Sequence, residues 1–223
     1  MTTAIIVAAG KSERMGSGTD KAFLSLVNKP VVAWSLLAFE RCADVDRIVL
    51  VVRKDQQIAA KAVVQMFGIS KLEAIVPGGN RRQDSVAAGL KACDLDTRFV
   101  VVHDGARPCV TSEMISEIVK AVKRAPAVTI GRRMVDAVKS VEKGTTIDKT
   151  VDRSHLWNVQ TPQAFQIKTL RDAYKAIPSK REIVDDCEAV EMMGEAVRIV
   201  ENRQPNFKIT TVEDLQLASA FLR

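Results

Sequence analysis

Short apolar runs alternate along the chain with longer segments in which apolar residues recur at helical spacing. The runs are rich in Val, Ile and Ala, which is typical of strands buried on both faces of a sheet. They cover residues 4–9, 46–53, 72–76, 98–103 and 127–131. The segments with helical spacing cover residues 31–41, 56–67, 82–92 and 112–124, the last with Ser112 as its predicted N-cap. This alternation predicts an α/β fold with a mostly parallel, twisted sheet flanked by helices.

The pattern changes at about residue 132. Residues 134–151 contain two strand-like pieces around a Gly-Thr-Thr turn, which predicts a hairpin. Because a lone hairpin is only marginally stable in water, we expect it to pack on another surface, for which a second subunit is a candidate. Helices are expected near residues 168–176 and 185–193, a strand at 197–200, and a last helix after Thr211. We therefore expect one domain, residues 1–223, with a β-arm at about residues 132–155.

Composition narrows the class of protein. The chain has 223 residues, of which 47% are apolar and 27% charged, and its net charge is +6. No apolar run approaches the ~18 residues of a membrane span, and the N-terminus lacks the basic segment of a signal peptide, so we expect no membrane partner. Four scattered cysteines and two histidines argue against a zinc site and favour a reducing, cytoplasmic location. Aromatic residues are 4% of the chain and no basic cluster accompanies them, so we expect no nucleic-acid partner.

The first predicted strand ends in a turn of small residues, Ala8-Ala9-Gly10, and the cations Arg14 and Lys21 follow it. Ligands of parallel α/β folds bind beyond the carboxyl ends of the strands, and small residues let backbone N–H groups approach a phosphate. The turn lacks the glycines of the dinucleotide fingerprint and of the P-loop, which excludes both. The sequence alone leaves an ordinary glycine turn with solvated charges as the alternative.

Two further polar segments follow predicted strands. Residues 78–85 begin with two glycines and lead into a helix, whose N-terminus favours anions. Asp104 follows the strand at 98–103, where a carboxylate can hold Mg²⁺ together with substrate oxygens; a helix cap or an ion pair with Arg107 is the alternative. We interpret His103 as a structural histidine. Together, the three segments predict transfer chemistry on a nucleoside triphosphate.

Six separated blocks occur in order between residue 5 and residue 215: A-A-G-x-S-x-R-M, K-x-F-L, G-G-x-x-R-x-D-S-V, V-H-D-G-A-R-P, V-D-R-x-x-L-W-x-x-Q-T-P-Q and K-I-T-T-x-E-D-L. In these blocks the chain resembles the 2-C-methyl-D-erythritol 4-phosphate cytidylyltransferases of the non-mevalonate isoprenoid pathway. The resemblance implies a Rossmann-like nucleotidyltransferase fold and a homodimer joined by β-arms. It also implies that CTP and methylerythritol phosphate, with Mg²⁺, give the CDP-alcohol and pyrophosphate.

The resemblance also implies roles for individual residues. Arg14 and Lys21 would be catalytic, holding the triphosphate and stabilising the transition state, and Asp104 would hold Mg²⁺. The residues bordering CTP would be Ala8, Ala9, Gly10, Gly78, Asn80, Arg82, Ser85 and Gly105. The residues positioning the acceptor, a sugar-alcohol phosphate, would be Arg107, Arg153, Thr161, Asp185 and Lys208, with Arg153 reaching from the arm of a second subunit.

Three positions depart from the family pattern. Asp20 stands where a proline usually precedes the catalytic lysine, and Ala137 and Val184 stand where threonines are usual. The two missing hydroxyl groups fall at acceptor positions, so a related enzyme acting on a pentitol phosphate such as ribitol 5-phosphate is the alternative function. A non-catalytic nucleotide-binding module is a further alternative, against which the joint presence of Arg14, Lys21, Asp104, Arg153 and Lys208 argues.

Overall fold

The computed structural model describes residues 1–10 and 21–222. Its strands are β1 (Thr2–Ala8), β2 (Ser25–Leu26), β3 (Lys29–Pro30), β4 (Arg47–Val52), β5 (Leu72–Pro77), β6 (Phe99–Asp104), β7 (Ala127–Arg133), β8 (Val138–Ser140), β9 (Lys149–Val151), β10 (Trp157–Gln166) and β11 (Val197–Glu201). Its helices are α1 (Val31–Arg41), α2 (Gln57–Met66), α3 (Arg82–Ala92), α4 (Ser112–Val122), α5 (Ile167–Ala176), α6 (Asp186–Glu191) and α7 (Val212–Phe221). None of the helices in these residues is long and apolar enough to cross a bilayer.

Seven strands form one sheet in the spatial order β11-β7-β10-β6-β1-β4-β5. Neighbouring strands are parallel except for β10, which runs antiparallel to both β6 and β7. The prediction of a mostly parallel α/β sheet is therefore confirmed. The sequence pattern missed β10, because this strand contains Gln, Asn and Thr side chains where the other central strands are apolar.

The core lies on both faces of the sheet, because consecutive residues of a strand point to opposite sides. Ile6 of β1 packs on the face covered by α1, α2 and α4. Its neighbour Ile5 packs on the other face, which α3, α5 and α6 cover. Both side chains are fully buried, and burying each contributes about 1.5–3 kcal/mol. This two-sided burial explains the continuous apolar runs in the sequence.

Helix α3 lies close to the sheet because it contains Gly89. A Cβ at that position would lie 2.5 Å from Ile5 Cγ2 and 3.2 Å from Val51 Cγ2. Side chains at this position therefore force the helix outward, whereas glycine lets it approach. The close packing brings the start of α3 to the edge where β1 ends.

The predicted N-cap of α4 is wrong by one residue. Thr111 is the N-cap, since its hydroxyl oxygen accepts a hydrogen bond from Met114 N at 3.3 Å, and Ser112 is the first residue of the helix. Ser112 instead donates to the Ala38 carbonyl group, which ties α4 to α1. At the last helix the capping pattern is confirmed, because Asp214 Oδ2 accepts a hydrogen bond from Thr211 N at 2.9 Å.

The predicted hairpin is confirmed. Strands β8 and β9 form a separate two-stranded antiparallel ladder in which Val138 pairs with Val151. Residues 141–150 between and around them are exposed. Arg133, at the end of β7, stacks on Trp157 at the start of β10, with 4.6 Å between the guanidinium carbon and the ring centroid. This contact closes the base of the arm.

Candidate active site

The candidate site lies at one edge of the sheet, where β1 and β6 end side by side. The parallel register pairs Val7 with Asp104, so the small-residue turn after β1 and the carboxylate at the end of β6 face the same space. A cavity of about 140 Å³ opens there. Of the residues predicted to act in the site, those lining it are Ala8, Ala9, Gly10, Lys21, Asn80, Arg82, Ser85, Asp104 and Lys208. The structure thus brings all three predicted segments together.

A second cleft, of about 410 Å³, continues from this cavity between the turn after β1 and residues 53–55. Gly78 lines this cleft. Ala9, Gly79 and Asn80 line both the cleft and the cavity. Gly105 lies beneath the site, where a Cβ would be 3.1 Å from Ala8 Cβ. Every predicted nucleotide-binding residue therefore lies in or directly under the cleft.

Gly78 must be glycine for this geometry. A Cβ there would lie 2.4 Å from Ala9 Cβ and 2.7 Å from Ser85 Oγ, closer than atoms can approach. The bare backbone lets residues 78–79 pass between the turn after β1 and the start of α3. Ser85 Oγ accepts a hydrogen bond from Gly79 N at 3.1 Å and fixes the loop. The loop and the helix N-terminus then present a surface suited to phosphate oxygens.

Asp104 lies at the centre of a cluster of cations. Its Oδ1 accepts a hydrogen bond from Arg82 Nε at 3.0 Å, and its Oδ2 accepts one from Lys208 Nζ at 2.8 Å. Arg107 Nε lies 3.8 Å from Oδ2. Burial raises the pKa of Asp104, but the charges of Arg82 and Lys208 outweigh it and hold the pKa well below its usual range. The carboxylate is therefore ionised at any physiological pH.

His103 lies under Asp104 and orders the end of β6. Thr161 Oγ1 accepts a hydrogen bond from Asp104 N at 3.0 Å and lies 3.3 Å from His103 Nδ1. Because the Arg107 carbonyl oxygen can only accept, Nε2 carries the imidazole proton and donates to it at 3.2 Å, which leaves Nδ1 to accept from the Thr161 hydroxyl group. Burial lowers the pKa of His103 to about 3. The histidine is neutral and structural, as predicted.

The predicted acceptor residues divide into two groups. Lys208 lines the cavity, and Arg107 lies beside it, donating from Nη1 to the Asn206 carbonyl oxygen at 2.8 Å. Thr161 is buried behind Asp104, and Asp185 is the N-cap of α6. The two oxygens of Asp185 accept hydrogen bonds from Glu188 N at 3.0 Å and from Gln163 Nε2 at 2.8 Å. Thr161 and Asp185 thus hold the walls of the site, and neither lines the cavity.

Arg153 lies on the arm and does not line the cavity of its own chain. Its guanidinium group donates to the carbonyl oxygens of Met134 and Val135 at the base of the arm. Ala137 is exposed on the same arm, and Val184 is 88% exposed. Arg14 and Asp20 lie outside the described residues.

Neither Asp186 nor Tyr174 was predicted from the sequence. Asp186 is fully buried, and its Oδ2 accepts a hydrogen bond from Arg82 Nη2 at 2.9 Å. Tyr174 donates its hydroxyl proton to the other oxygen of Asp186. The sequence pointed only to the adjacent residue, Asp185. A local signal distinguishes the two. An N-cap carboxylate accepts a hydrogen bond from the backbone of its own helix, so the residue that follows it is the one that can face inward.

The donor chemistry at Asp104 suits a divalent cation that arrives with a triphosphate. Within residues 1–10 and 21–222 no three His, Cys, Asp or Glu side chains form a cluster suited to a metal ion. Mg²⁺ commonly binds through one carboxylate plus substrate phosphate oxygens, and Asp104 supplies such a carboxylate in the cavity wall. The residues present therefore fit that mode of binding.

Comparison with known proteins agrees with this geometry. The family model described as IspD, 2-C-methyl-D-erythritol 4-phosphate cytidylyltransferase, matches residues 2–223. A protein of that name from Pelotomaculum thermopropionicum is 41% identical over 222 residues, which cover 99% of this chain and 93% of that protein. One from Alkaliphilus oremlandii is 37% identical over 100% of this chain and 95% of that protein.

Among solved structures, the 4-diphosphocytidyl-2C-methyl-D-erythritol synthase from Anaerococcus prevotii superposes with a TM-score of 0.87 at 32% sequence identity. The match covers 99% of this chain and 95% of that one. The fold, the composition of the cleft and the full-length sequence match all agree. The chain therefore belongs to the 2-C-methyl-D-erythritol 4-phosphate cytidylyltransferase family.

Proposed function

We propose that this chain transfers the cytidylyl group of CTP to 2-C-methyl-D-erythritol 4-phosphate, giving 4-CDP-2-C-methyl-D-erythritol and pyrophosphate. The observation that carries the proposal is the meeting of Lys21, Asp104 and Lys208 with the small-residue loops in one cleft of a family member. No described observation favours a pentitol phosphate as acceptor. Ribitol 5-phosphate therefore serves as the comparison substrate in the test.

The reaction needs no general base. The acceptor phosphate is a monoester whose second pKa is about 6, so it is already a dianion near pH 7. One of its oxygens attacks the α-phosphorus of CTP, the bond from that phosphorus to the β-phosphate oxygen breaks, and pyrophosphate leaves with the electron pair. No proton moves in this step. The neutral, buried His103 is consistent with chemistry that lacks a base.

The obstacle is repulsion between anions, so the catalytic work is positioning and neutralisation. Lys21 lines the cavity beside the turn of Ala8, Ala9 and Gly10, where it can stabilise charge on the triphosphate as the bond breaks. Lys208 lines the same cavity and donates to Asp104, where it can hold the acceptor phosphate. We propose that Arg14 joins Lys21 in this role.

We also propose that the reaction uses Mg²⁺ held by Asp104. The ion, when bound, neutralises triphosphate oxygens and makes pyrophosphate a better leaving group. For Asp104 to act as its ligand, at least one of the contacts from Arg82 and Lys208 must open. Lys208 is the more exposed of the two partners, with 36% of its side chain exposed against 24% for Arg82, so it is the one that moves more easily.

We propose that two copies pair through their arms and that Arg153 of each copy completes the acceptor site of the other. In support, β8 and β9 form only a two-stranded ladder, and the residues around them are exposed, so the hairpin is not expected to be stable by itself. Arg153 also lies away from the cavity of its own chain. In a homodimer of this kind, mixing an Arg153→Ala chain with a Lys21→Ala chain creates one intact site per mixed dimer. Refolding the two variants together is therefore expected to restore activity, whereas no recovery would contradict the shared site.

We infer a cytoplasmic location as well, which the four free, buried cysteines support.

The function itself is tested by pyrophosphate release with CTP and Mg²⁺. We expect rapid release with methylerythritol phosphate, and release at least a hundredfold slower with ribitol 5-phosphate or without an acceptor. Equal or faster release with ribitol 5-phosphate would overturn the acceptor assignment. Release that needs no acceptor would overturn the transfer reaction.

A further inference from the structure

Asp186 is a buried carboxylate that reaches the active site only through another side chain. It is fully buried in the first turn of α6. One of its oxygens accepts a hydrogen bond from Arg82 Nη2 at 2.9 Å, and the other accepts one from the Tyr174 hydroxyl group at 2.5 Å. The carboxylate is thus held by one partner on the site side and by one from α5.

Arg82 is held between two carboxylates. Its Nε donates to Asp104 Oδ1 at 3.0 Å, while its Nη2 donates to Asp186 Oδ2. Because the guanidinium group is planar and its donors have fixed directions, two such contacts determine its orientation. A single contact to Asp104 would leave it free to rotate about that bond.

The start of α3 is tied to the segment before α6 by two further side chains. Gln83 Nε2 donates to the Arg181 carbonyl oxygen, and Gln83 Oε1 accepts from Ile183 N, both at 3.0 Å. Arg81 Nη1 donates to the Ser179 carbonyl oxygen at 3.1 Å. The backbone around Asp186 is therefore fixed relative to the loop that carries Arg82, and the Arg82–Asp186 contact is part of a rigid connection.

Tyr174 acts only as a hydrogen-bond donor here. Burial, together with the charge of Asp186, raises the pKa of Tyr174 far above its usual range, so its hydroxyl group keeps the proton. A neutral hydroxyl donor holds one oxygen of Asp186 in place and brings no second positive charge beside the carboxylate. The negative charge of Asp186 thus remains available to the guanidinium group.

We propose that Asp186 and Tyr174 are positioning residues for Arg82 in the cytidylyl transfer. The inference rests on the proposed function. When a triphosphate enters and Asp104 exchanges its partners, Arg82 keeps its contact with Asp186 and stays aimed into the cavity. Tyr174 fixes the oxygen geometry of Asp186, so it acts on the reaction through two side chains and touches no substrate.

The test is a double-mutant cycle with Tyr174→Phe, which removes one hydroxyl group and leaves the ring in the core. In the wild-type background we expect Tyr174→Phe to lower kcat/KM for CTP by about tenfold. In an Arg82→Lys background, where the planar fork is gone, we expect the same change to have an effect below about twofold. Ser116→Ala is the matched control, because Ser116 also donates a hydroxyl proton to a carboxylate, Asp44, far from the site. It should leave kcat/KM unchanged.

The same double-mutant cycle can be measured without turnover, from the Kd for CTP determined by calorimetry. This measurement replaces the kinetic one if the Arg82→Lys chain is too slow to assay. A third readout is the Nε–H resonance of Arg82 in ¹⁵N-arginine-labelled protein, which should move in Tyr174→Phe and stay in Ser116→Ala. Equal losses in both backgrounds would make Tyr174 merely structural, and an unchanged kcat/KM and CTP affinity in Tyr174→Phe would overturn the proposal. Absence of transfer by the wild-type chain would instead contradict the proposed function, which separates the two failures.

Discussion

Lys208 Nζ lies 2.8 Å from Asp104 Oδ2, so the loop that precedes α7 closes over the carboxylate at the end of β6. The two residues are 104 positions apart in the sequence, and their contact joins the predicted acceptor side to the predicted metal ligand. Arg82 holds the other oxygen of the same carboxylate. Asp104 therefore keeps three cations together before substrates bind, and at least one of those contacts must open for the carboxylate to hold the proposed ion.

Removal of the Asp104 charge is expected to affect both activity and stability. In Asp104→Asn, kcat/KM should fall by on the order of 10²–10³-fold, because the proposed ligand for the divalent ion is lost. The free energy of unfolding at pH 7 should also fall by about 3 kcal/mol, because Arg82, Arg107 and Lys208 are left facing each other. Urea unfolding and pyrophosphate release measure the two effects.

Asp44→Asn is the control for this substitution. Asp44 also faces two cations, Lys120 and Lys123, but their side chains are 69% and 50% exposed. Asp44→Asn should lower the free energy of unfolding by less than about 1 kcal/mol and leave kcat/KM unchanged. An Asp104→Asn chain with kcat/KM within tenfold of wild type would show that Asp104 holds no ion essential to transfer.

Lys21→Ala is expected to reduce kcat far more than substrate binding. Lys21 lines the cavity beside the predicted triphosphate loop, where its charge matters most as negative charge develops on the leaving pyrophosphate. We expect kcat to fall by on the order of 10³-fold while the Kd for CTP changes by less than about tenfold. Lys61→Ala, at an exposed position of α2, should change neither. A near-normal kcat in Lys21→Ala would refute the catalytic role.

Gly78→Ala tests the close packing of the nucleotide loop. The new Cβ would lie 2.4 Å from Ala9 Cβ, so residues 78–79 must shift and the cleft must deform. We expect the KM for CTP to rise by at least about tenfold. Adding Ala9→Gly removes the nearer of the two contacts and should restore part of the affinity. If Gly78→Ala leaves the KM for CTP unchanged, the loop does not contact the nucleotide.

The buried His103 predicts a specific pH dependence of stability. Burial lowers the pKa of His103 from its ordinary value of 6.5 to about 3. Between these values the unfolded chain binds a proton that the folded chain does not, so stability falls as the pH falls below 6.5. The loss is about 1.4 kcal/mol per pH unit, or about 2 kcal/mol between pH 7 and pH 5.

Urea unfolding at pH 7, 6 and 5 measures this effect before the carboxylates titrate. In the His103→Gln chain, the free energy of unfolding should change little between pH 7 and pH 5. His155→Gln, at an exposed position of the arm, should keep the wild-type slope. Equal slopes in His103→Gln and wild type would show that another group causes the pH dependence.

Val184→Thr is expected to improve acceptor binding. Val184 is 88% exposed and its backbone N–H donates to Glu188 Oε2, so the substitution adds a hydroxyl group without disturbing the core. A hydrogen bond to a charged acceptor phosphate would lower the KM for methylerythritol phosphate by about tenfold. Val184→Ala is the control for the change in bulk and should have no such effect. An unchanged or higher KM in Val184→Thr would remove this position from the acceptor site.

The parts of the fold that the sequence predicted are those with strong local patterns. Strands β1, β4 and β6 are continuous apolar runs because both faces of the sheet are covered. Strand β10 was missed because its polar side chains are paired by distant residues: Gln160 Oε1, for example, accepts hydrogen bonds from Asn202 and Asn206. No local pattern records such pairings.

The same distinction holds for the candidate site. The glycine turns and Asp104 follow strands directly, so topology alone brings them to one edge of the sheet. Asp186 and Tyr174 were not predicted, because the contact of Asp186 with Arg82 and that of Tyr174 with Asp186 depend on how α5 and α6 pack on α3. That the whole chain is one domain, and that Arg153 acts across a dimer, both stay predictions.

The most direct test of the account is to follow the acceptor oxygens through the reaction. Methylerythritol phosphate carrying ¹⁸O in its phosphate is mixed with CTP, Mg²⁺ and the wild-type chain, and ³¹P resonances are recorded. The account predicts a new diphosphate in which the acceptor phosphorus keeps all its label, with one labelled oxygen now bridging to the CTP α-phosphorus, and unlabelled pyrophosphate. Pyrophosphate release without a labelled diphosphate would contradict it.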